Sequence, residues 1–269
     1  MKFKILIITL NIVIFISFVS FFILPLLAFS GAAKFFLSKN WFFPPIFIAI
    51  LAFINILYFR NKSIIENLEA EDWTGLCHTL EVEVFDKNRA SFRNVNLLSD
   101  VQLLLSDFSG LQRLETYVRS KKPEYLSRLA PNFAGGKFLS GNYSELHSFV
   151  SNLIRSGKKD EWLLFYLPFS LQMQKSYSEA SKEFENCLNK FNEPILNLMT
   201  GYFYYEVLKI YCKLSEKERI KSVKAFKDNI KAQYSLETWN NYTAQKRQEM
   251  HILIFKKIIA DASSWLFNT

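Results

Sequence analysis

Side chains able to do covalent or metal chemistry are few and scattered. The three cysteines (Cys77, Cys187, Cys212) show no CxxC spacing and cannot all pair, which suits a reducing compartment. The histidines (His78, His147, His251) lie far apart, and none belongs to an HExxH motif. Cys77 beside His78 suggests a nucleophile and its base. Neighbours on a helix point about 100° apart, however, so packing roles are expected for both. "AGGK" at 134–137 lacks the G-x4-G-K-[ST] frame and any preceding strand, so its glycines are expected to allow close helix contact. No GxSxG, kinase signature or GxGxxG after a strand is present. The expectation is therefore a non-enzyme with no catalytic, cofactor-binding or metal residues.

The chain must also position whatever it binds. Half of its 269 residues are apolar, enough for one or two domains and incompatible with disorder. Residues 5–29 carry no charge over the length a helix needs to cross a bilayer, and residues 41–59 repeat the pattern. A spanning segment must bond its own amides, so both are expected to be helices of a membrane hairpin occupying residues 1–60. Lys2, Lys4, Arg60 and Lys62 flank the outer ends against Lys34 and Lys39 in the connection, which places both termini in the cytoplasm. The rival reading is a cleaved signal peptide ending near "AFSGAA"; the uncharged stretch is longer than the usual core of about 7–15 residues. With either reading the bulk of the chain lies on the cytoplasmic side of an inner or plasma membrane. Asn11 and Asn55 are the strongly polar side chains inside the spans, which reads as an anchor with an interhelical amide contact rather than a conduit.

All 25 acidic residues and 28 of the 33 basic ones follow position 60, leaving a net +3 there. The basic character belongs largely to the membrane flanks, and no nucleic-acid partner is expected. The 27 Phe and 12 Tyr follow helical spacing, as core residues do.

One short phrase recurs: "EDWTGL" at 71, "SDFSGL" at 106, "GNYSEL" at 141 and "KSYSEA" at 175, with aromatics at Trp73, Phe108, Tyr143 and Tyr177. Intervals of 35, 35 and 34 residues mark stacked helical pairs. Asp72, Asp107, Asn142 and Ser176 are the residue types that cap a helix N-terminus, so each phrase is expected to open the second helix of a pair. Glu145 and Glu179 stand at capping-box distance, a full box for Ser176 to Glu179 and an approximate one for Asn142 to Glu145. Apolar segments at 95–105, 129–139 and 161–173 supply first helices, and residues 55–70, with no Gly or Pro, continue the second span into the first pair. Pro131 and Pro168 should kink or restart their helices.

These units resemble the tetratricopeptide repeat family. In residues 161–194, Leu164, Leu167 and Leu171 occupy first-helix positions, Ala180 and Phe184 match A-x3-F, and Pro194 lies near the closing proline; Ala134, Leu146, Val150 and Leu153 fit in residues 127–160. The match is degenerate, because W-x2-L-G-x2-Y is absent and Pro168 replaces a small residue. The expected fold is all-α: the hairpin, a tetratricopeptide-like solenoid of about four pairs over 61–213, and capping helices over 214–269. The resemblance implies a groove lined by first helices that takes a peptide or partner helix. Arg128, Asn132, Lys137 and Gln172, polar positions on those helices, are the candidate partner-binding residues. After Pro194 a long apolar helix (195–214) and a basic amphipathic one (215–234) are expected. The lysines of the latter face solvent, anionic lipid or a partner. The expected function is a membrane-anchored cytoplasmic scaffold for proteins, held to lipid by the hairpin. The alternative is a structural subunit acting through self-association, with no groove in use.

Overall fold

The apolar opening of the chain folds as two long helices in a computed structural model, which describes residues 2–24, 27 and 33–268 and contains no strand among them. α1 (Lys2–Phe18) continues through a π turn (Val19–Ile23), α2 (Ala33–Asn40) is short, and α3 runs unbroken over Phe43–Glu69. Pro44 sits in the first turn of α3, where a missing N–H costs nothing. Phe3–Ile23 and Ser38–Glu69 are each long and apolar enough to cross a membrane. Residues 25, 26 and 28–32, holding the end of the first expected span and most of "AFSGAA", lie outside the described residues. α1 and α3 pack together, and Asn11 and Asn55 exchange amide bonds of 3.2 and 3.1 Å, satisfying each other between two apolar helices.

α3 carries its apolar span directly into the first pair. α4 (Trp73–Glu81, ending in a π turn at Val82–Asp86) packs back on it, with Ile64, Leu76, Leu80 and Val84 buried and Asn67 bonded to Thr79 at 3.0 Å. The chain groups into two compact units, Met1–Asn94 and Val95–Thr269, and the division falls within α5 (Phe92–Leu104).

The second unit continues with α6 (Phe108–Lys121), α7 (Pro123–Leu139), α8 (Tyr143–Arg155), α9 (Glu161–Met173) and α10 (Tyr177–Cys187). α8 lies against both α7 and α9, and α9 also meets α7 and α10. Their buried faces follow helical spacing, as with Leu146, Phe149, Val150 and Leu153 on α8. A Cβ at Gly136 would lie 2.2 Å from Leu111 Cδ2, so any side chain there would have to displace the Leu111 methyl of α6. Neither proline restarts its helix: α7 runs through Pro131 and α9 through Pro168. Each removes one backbone bond, and each is buried among packed helices that keep the chain helical on both sides.

α11 (Pro194–Tyr202) extends through a π turn (Phe203–Val207) and a 3₁₀ turn (Lys209–Tyr211), so the long apolar helix expected over 195–214 breaks after Val207. α12 (Glu216–Gln233) matches the expected basic helix and opens with a full capping box between Ser215 and Glu218. α13 (Leu236–Gln245), α14 (Met250–Ile254) and α15 (Lys256–Phe267) complete the unit.

Candidate partner-binding surface

Trp73, Phe108, Tyr143 and Tyr177 are each the first residue of a helix. The side chains of Asp72, Asp107 and Asn142 accept bonds from the amides of Gly75, Gly110 and Glu145. Ser176 makes no such bond, so the full box expected with Glu179 is absent. The residue before each cap is left-handed in all four turns: Glu71 (φ 53°), Ser106 (φ 56°), Gly141 (φ 75°) and Lys175 (φ 64°). Each capping residue's N–H then bonds the carbonyl five residues earlier, at 2.9, 2.8, 3.0 and 2.9 Å for Asp72, Asp107, Asn142 and Ser176. One backbone turn therefore joins first to second helix four times.

The four candidate groove residues differ in exposure and in what they touch. Arg128 is exposed on α7. Asn132, four residues on, is buried and donates to Ser99 Oγ at 2.7 Å and Asp100 Oδ1 at 2.8 Å on α5. Burial pushes the Asp100 carboxyl above its ordinary range, and the Asn132 bond opposes that rise. Lys137 turns towards α6 and α8, its ammonium 2.9 Å from Glu115 and 2.5 Å from Glu145 and over the Phe149 ring at 5.1 Å. Arg119 completes this cluster on Glu115 at 2.8 Å. Gln172, on α9, has its Oε1 buried. Asn132 and Lys137 thus tie helices together.

Part of the first-helix surface is covered by the chain's own C-terminal segment. Phe255, fully buried between α14 and α15, is caged by Phe138 of α7 and by Trp162, Phe165, Tyr166 and Phe169 of α9, with ring centroids 5.2–5.7 Å away. Ile254 closes over Gly135. His251 stacks on Trp162 at 4.7 Å, and its Nδ1 lies 3.3 Å from Tyr166 Oη. Burial pushes the imidazole down to about 3, so it is neutral when folded. His147 bonds Ser170 at 3.1 Å, while Cys77 is buried and its neighbour His78 exposed, pointing apart as adjacent helix positions do.

Two surface features of the second unit had no signal in the apolar pattern. A groove of about 630 Å³ is bounded by Leu236, Asn240 and Thr243 of α13 and by Lys256, Ala260 and Ser263 of α15. These positions recur at helical spacing but mix polar and apolar types, so periodicity passed over them. Arg247 and Lys256 are the charged residues of the groove lining, which includes no carboxylate among the described residues. The second feature is a basin of about 300 Å³ on α12, where Arg219, Lys224, Lys227 and Lys231 stand with Asp228 as the one acidic side chain among the described residues of its lining.

Residues 110–268 match the family model described as "Uncharacterised Treponema protein". An uncharacterized protein of Treponema pallidum (strain Nichols) is 32% identical over 230 residues, covering 82% of this chain and 74% of the relative. The chain belongs to this Treponema family. No solved structure matches it. The family segment begins in α6 and contains the Phe255 cage, the α13–α15 groove and α12, whereas the two candidate spans precede it.

Proposed function

We propose that this chain is a membrane-anchored, tetratricopeptide-like scaffold that binds partner proteins on the cytoplasmic side, a binding protein and not an enzyme. The observation that carries the reading is the turn written four times at 35, 35 and 34 residues, in a chain that opens with two helices of spanning length. The position of α8 against both its own first helix and the next one supports stacking of successive pairs. The excess of Lys and Arg at the outer ends of the hairpin supports the cytoplasmic side.

The partner surface is the α13–α15 groove rather than the first-helix face over which Phe255 is seated. Its occupant is an amphipathic helix of a partner protein. The small Ala260 and Ser263 on the α15 wall, facing the groove with Asn240 and Thr243 of α13, leave room for a third helix, and Arg247 and Lys256 favour acidic side chains on it. A photo-crosslinking residue at Leu253, in the full chain in native membranes, tests this. The expected adduct disappears in Ala260→Trp, which fills the groove, and in Arg247→Glu with Lys256→Glu. An adduct unchanged in both variants, or no adduct, refutes the groove. An adduct of twice the chain's mass identifies a second copy as occupant and favours self-assembly.

A further inference from the structure

α12 presents an unusual outward face. Its inner side is apolar, with Phe226 and Ile230 buried. At 100° per residue, Lys217, Ile220, Lys221, Lys224 and Lys231 fall within an arc of about 100° on the opposite side, with Asp228 as the one acidic residue of α12 inside it. These four lysines are exposed and have no carboxylate at ion-pair distance among the described residues. Lys227 lies beside them, over the Trp265 ring at 4.8 Å. Burial first, and then the neighbouring Lys231, push its ammonium below the ordinary range, while Glu206 opposes the shift.

Aliphatic side chains interrupt this cationic field. Ile220 is 58% exposed within the arc, and the turn just before α12 exposes Ile210 at 86%, with Val207 and Tyr211 also exposed. Arg219 Nη1 donates to the Tyr205 carbonyl at 3.3 Å and the Tyr205 ring packs tilted against Phe226 at 5.7 Å, so the turn and the helix form one neighbourhood. A nucleic-acid surface would use aromatic faces for stacking, which isoleucines do not offer. A soluble anion would leave Ile210 and Ile220 wet. Lysines around exposed isoleucines and a tyrosine fit the headgroup and acyl boundary of an anionic bilayer. Covalent tethering through the proposed spans would raise the segment's effective concentration at a bilayer.

We infer that residues 207–231 form a peripheral membrane contact, with Lys217, Lys221, Lys224 and Lys231 on anionic lipid headgroups and Ile210 and Ile220 seated at the acyl boundary. The inference rests on the membrane anchorage proposed above.

The test uses the full chain in nanodiscs of phosphatidylcholine alone or mixed with phosphatidylglycerol, with lysine acetylation rates read residue by residue by mass spectrometry. In the anionic discs the four lysines acetylate at least threefold more slowly, while exposed Lys175 keeps its rate. Molar salt removes the difference, and Ile210→Gln with Ile220→Gln reduces it. Inorganic phosphate added to neutral discs does not reproduce it; if it does, the site binds free anion and the bilayer assignment falls. Equal rates of the four lysines in both discs overturn the contact while leaving the anchor standing. A chain that fails to enter either disc overturns the anchor and this inference with it.

Discussion

Three of the four left-handed turn residues, Glu71, Ser106 and Lys175, carry a Cβ where glycine would be at ease. A side chain in that conformation costs about 1–2 kcal/mol, while glycine brings about 0.5–1 kcal/mol of extra entropy to the unfolded chain. Lys175→Gly and Ser106→Gly should therefore each stabilise the fold by about 0.5–1 kcal/mol. For a domain of this size that is a rise of roughly 1–4 °C in Tm. Gly141→Ala adds a side chain at φ 75° and should lower Tm by a similar amount. Thermal unfolding of the full chain in mild detergent, followed by helical circular dichroism, reads all three. Lys182→Gly, at an exposed position inside α10, supplies the opposite sign, since glycine within a helix costs about 1 kcal/mol. If Lys175→Gly and Ser106→Gly lower Tm as Lys182→Gly does, the four turns do not share a backbone and the repeat is one of sequence alone.

Two further perturbations probe the second unit. Lys137→Met leaves Glu115 with Arg119 alone and removes the nearby cation of Glu145; loss of about 3 kcal/mol is expected, and combining it with Glu115→Gln should recover part of that. A double-mutant cycle on unfolding checks this, and simple additivity would show that Lys137 locks nothing. His251, held near 3 when folded against about 6.5 when unfolded, leaves the unfolded state with more bound protons between those values. Its contribution is thus complete above pH 6.5 and falls by about 1.4 kcal/mol per unit as pH drops towards 3, about 2 kcal/mol by pH 5. His251→Phe should remove that part of the acid sensitivity, and a Tm difference from wild type that is the same at pH 7.5 and pH 5 refutes the buried neutral imidazole.

The starts of the second helices were legible because cap chemistry is local. Asp72, Asp107 and Asn142 bond amides three residues ahead, and a short window of sequence contains both partners. The turn residue before the cap was not legible, since only Gly141 is of the type that marks a left-handed position. Continuity of α3 followed from the absence of any breaker between Pro45 and Gly75, whereas Pro131 and Pro168 suggested breaks that tertiary burial overrode. Polar residues on an apolar helix invite assignment to a wet groove. The partners of Asn132 lie 32 and 33 residues away and those of Lys137 on two other helices, so no local window reveals that either is engaged. The seating of Phe255 among rings about 90 residues earlier was hidden for the same reason.

Backbone and side chains of the pairs repeat to different degrees, and that difference has a physical use. The position six residues before each leading aromatic is Asn67, Gln102, Lys137 and Leu171. Asn67 bonds Thr79, Gln102 is buried, and Lys137 joins Glu115 to Glu145, while Leu171 lines a cavity beside α8 and α10. Four identical turns alone would let any first helix accept any second helix, because the shared apolar faces are nearly interchangeable. Lys137 is the charged one among the four side chains, and its two carboxylates, Glu115 on α6 and Glu145 on α8, hold three helices in one register. The side chains at this position therefore differ in what they join from pair to pair, while the recurring left-handed turn sets how closely each pair is joined.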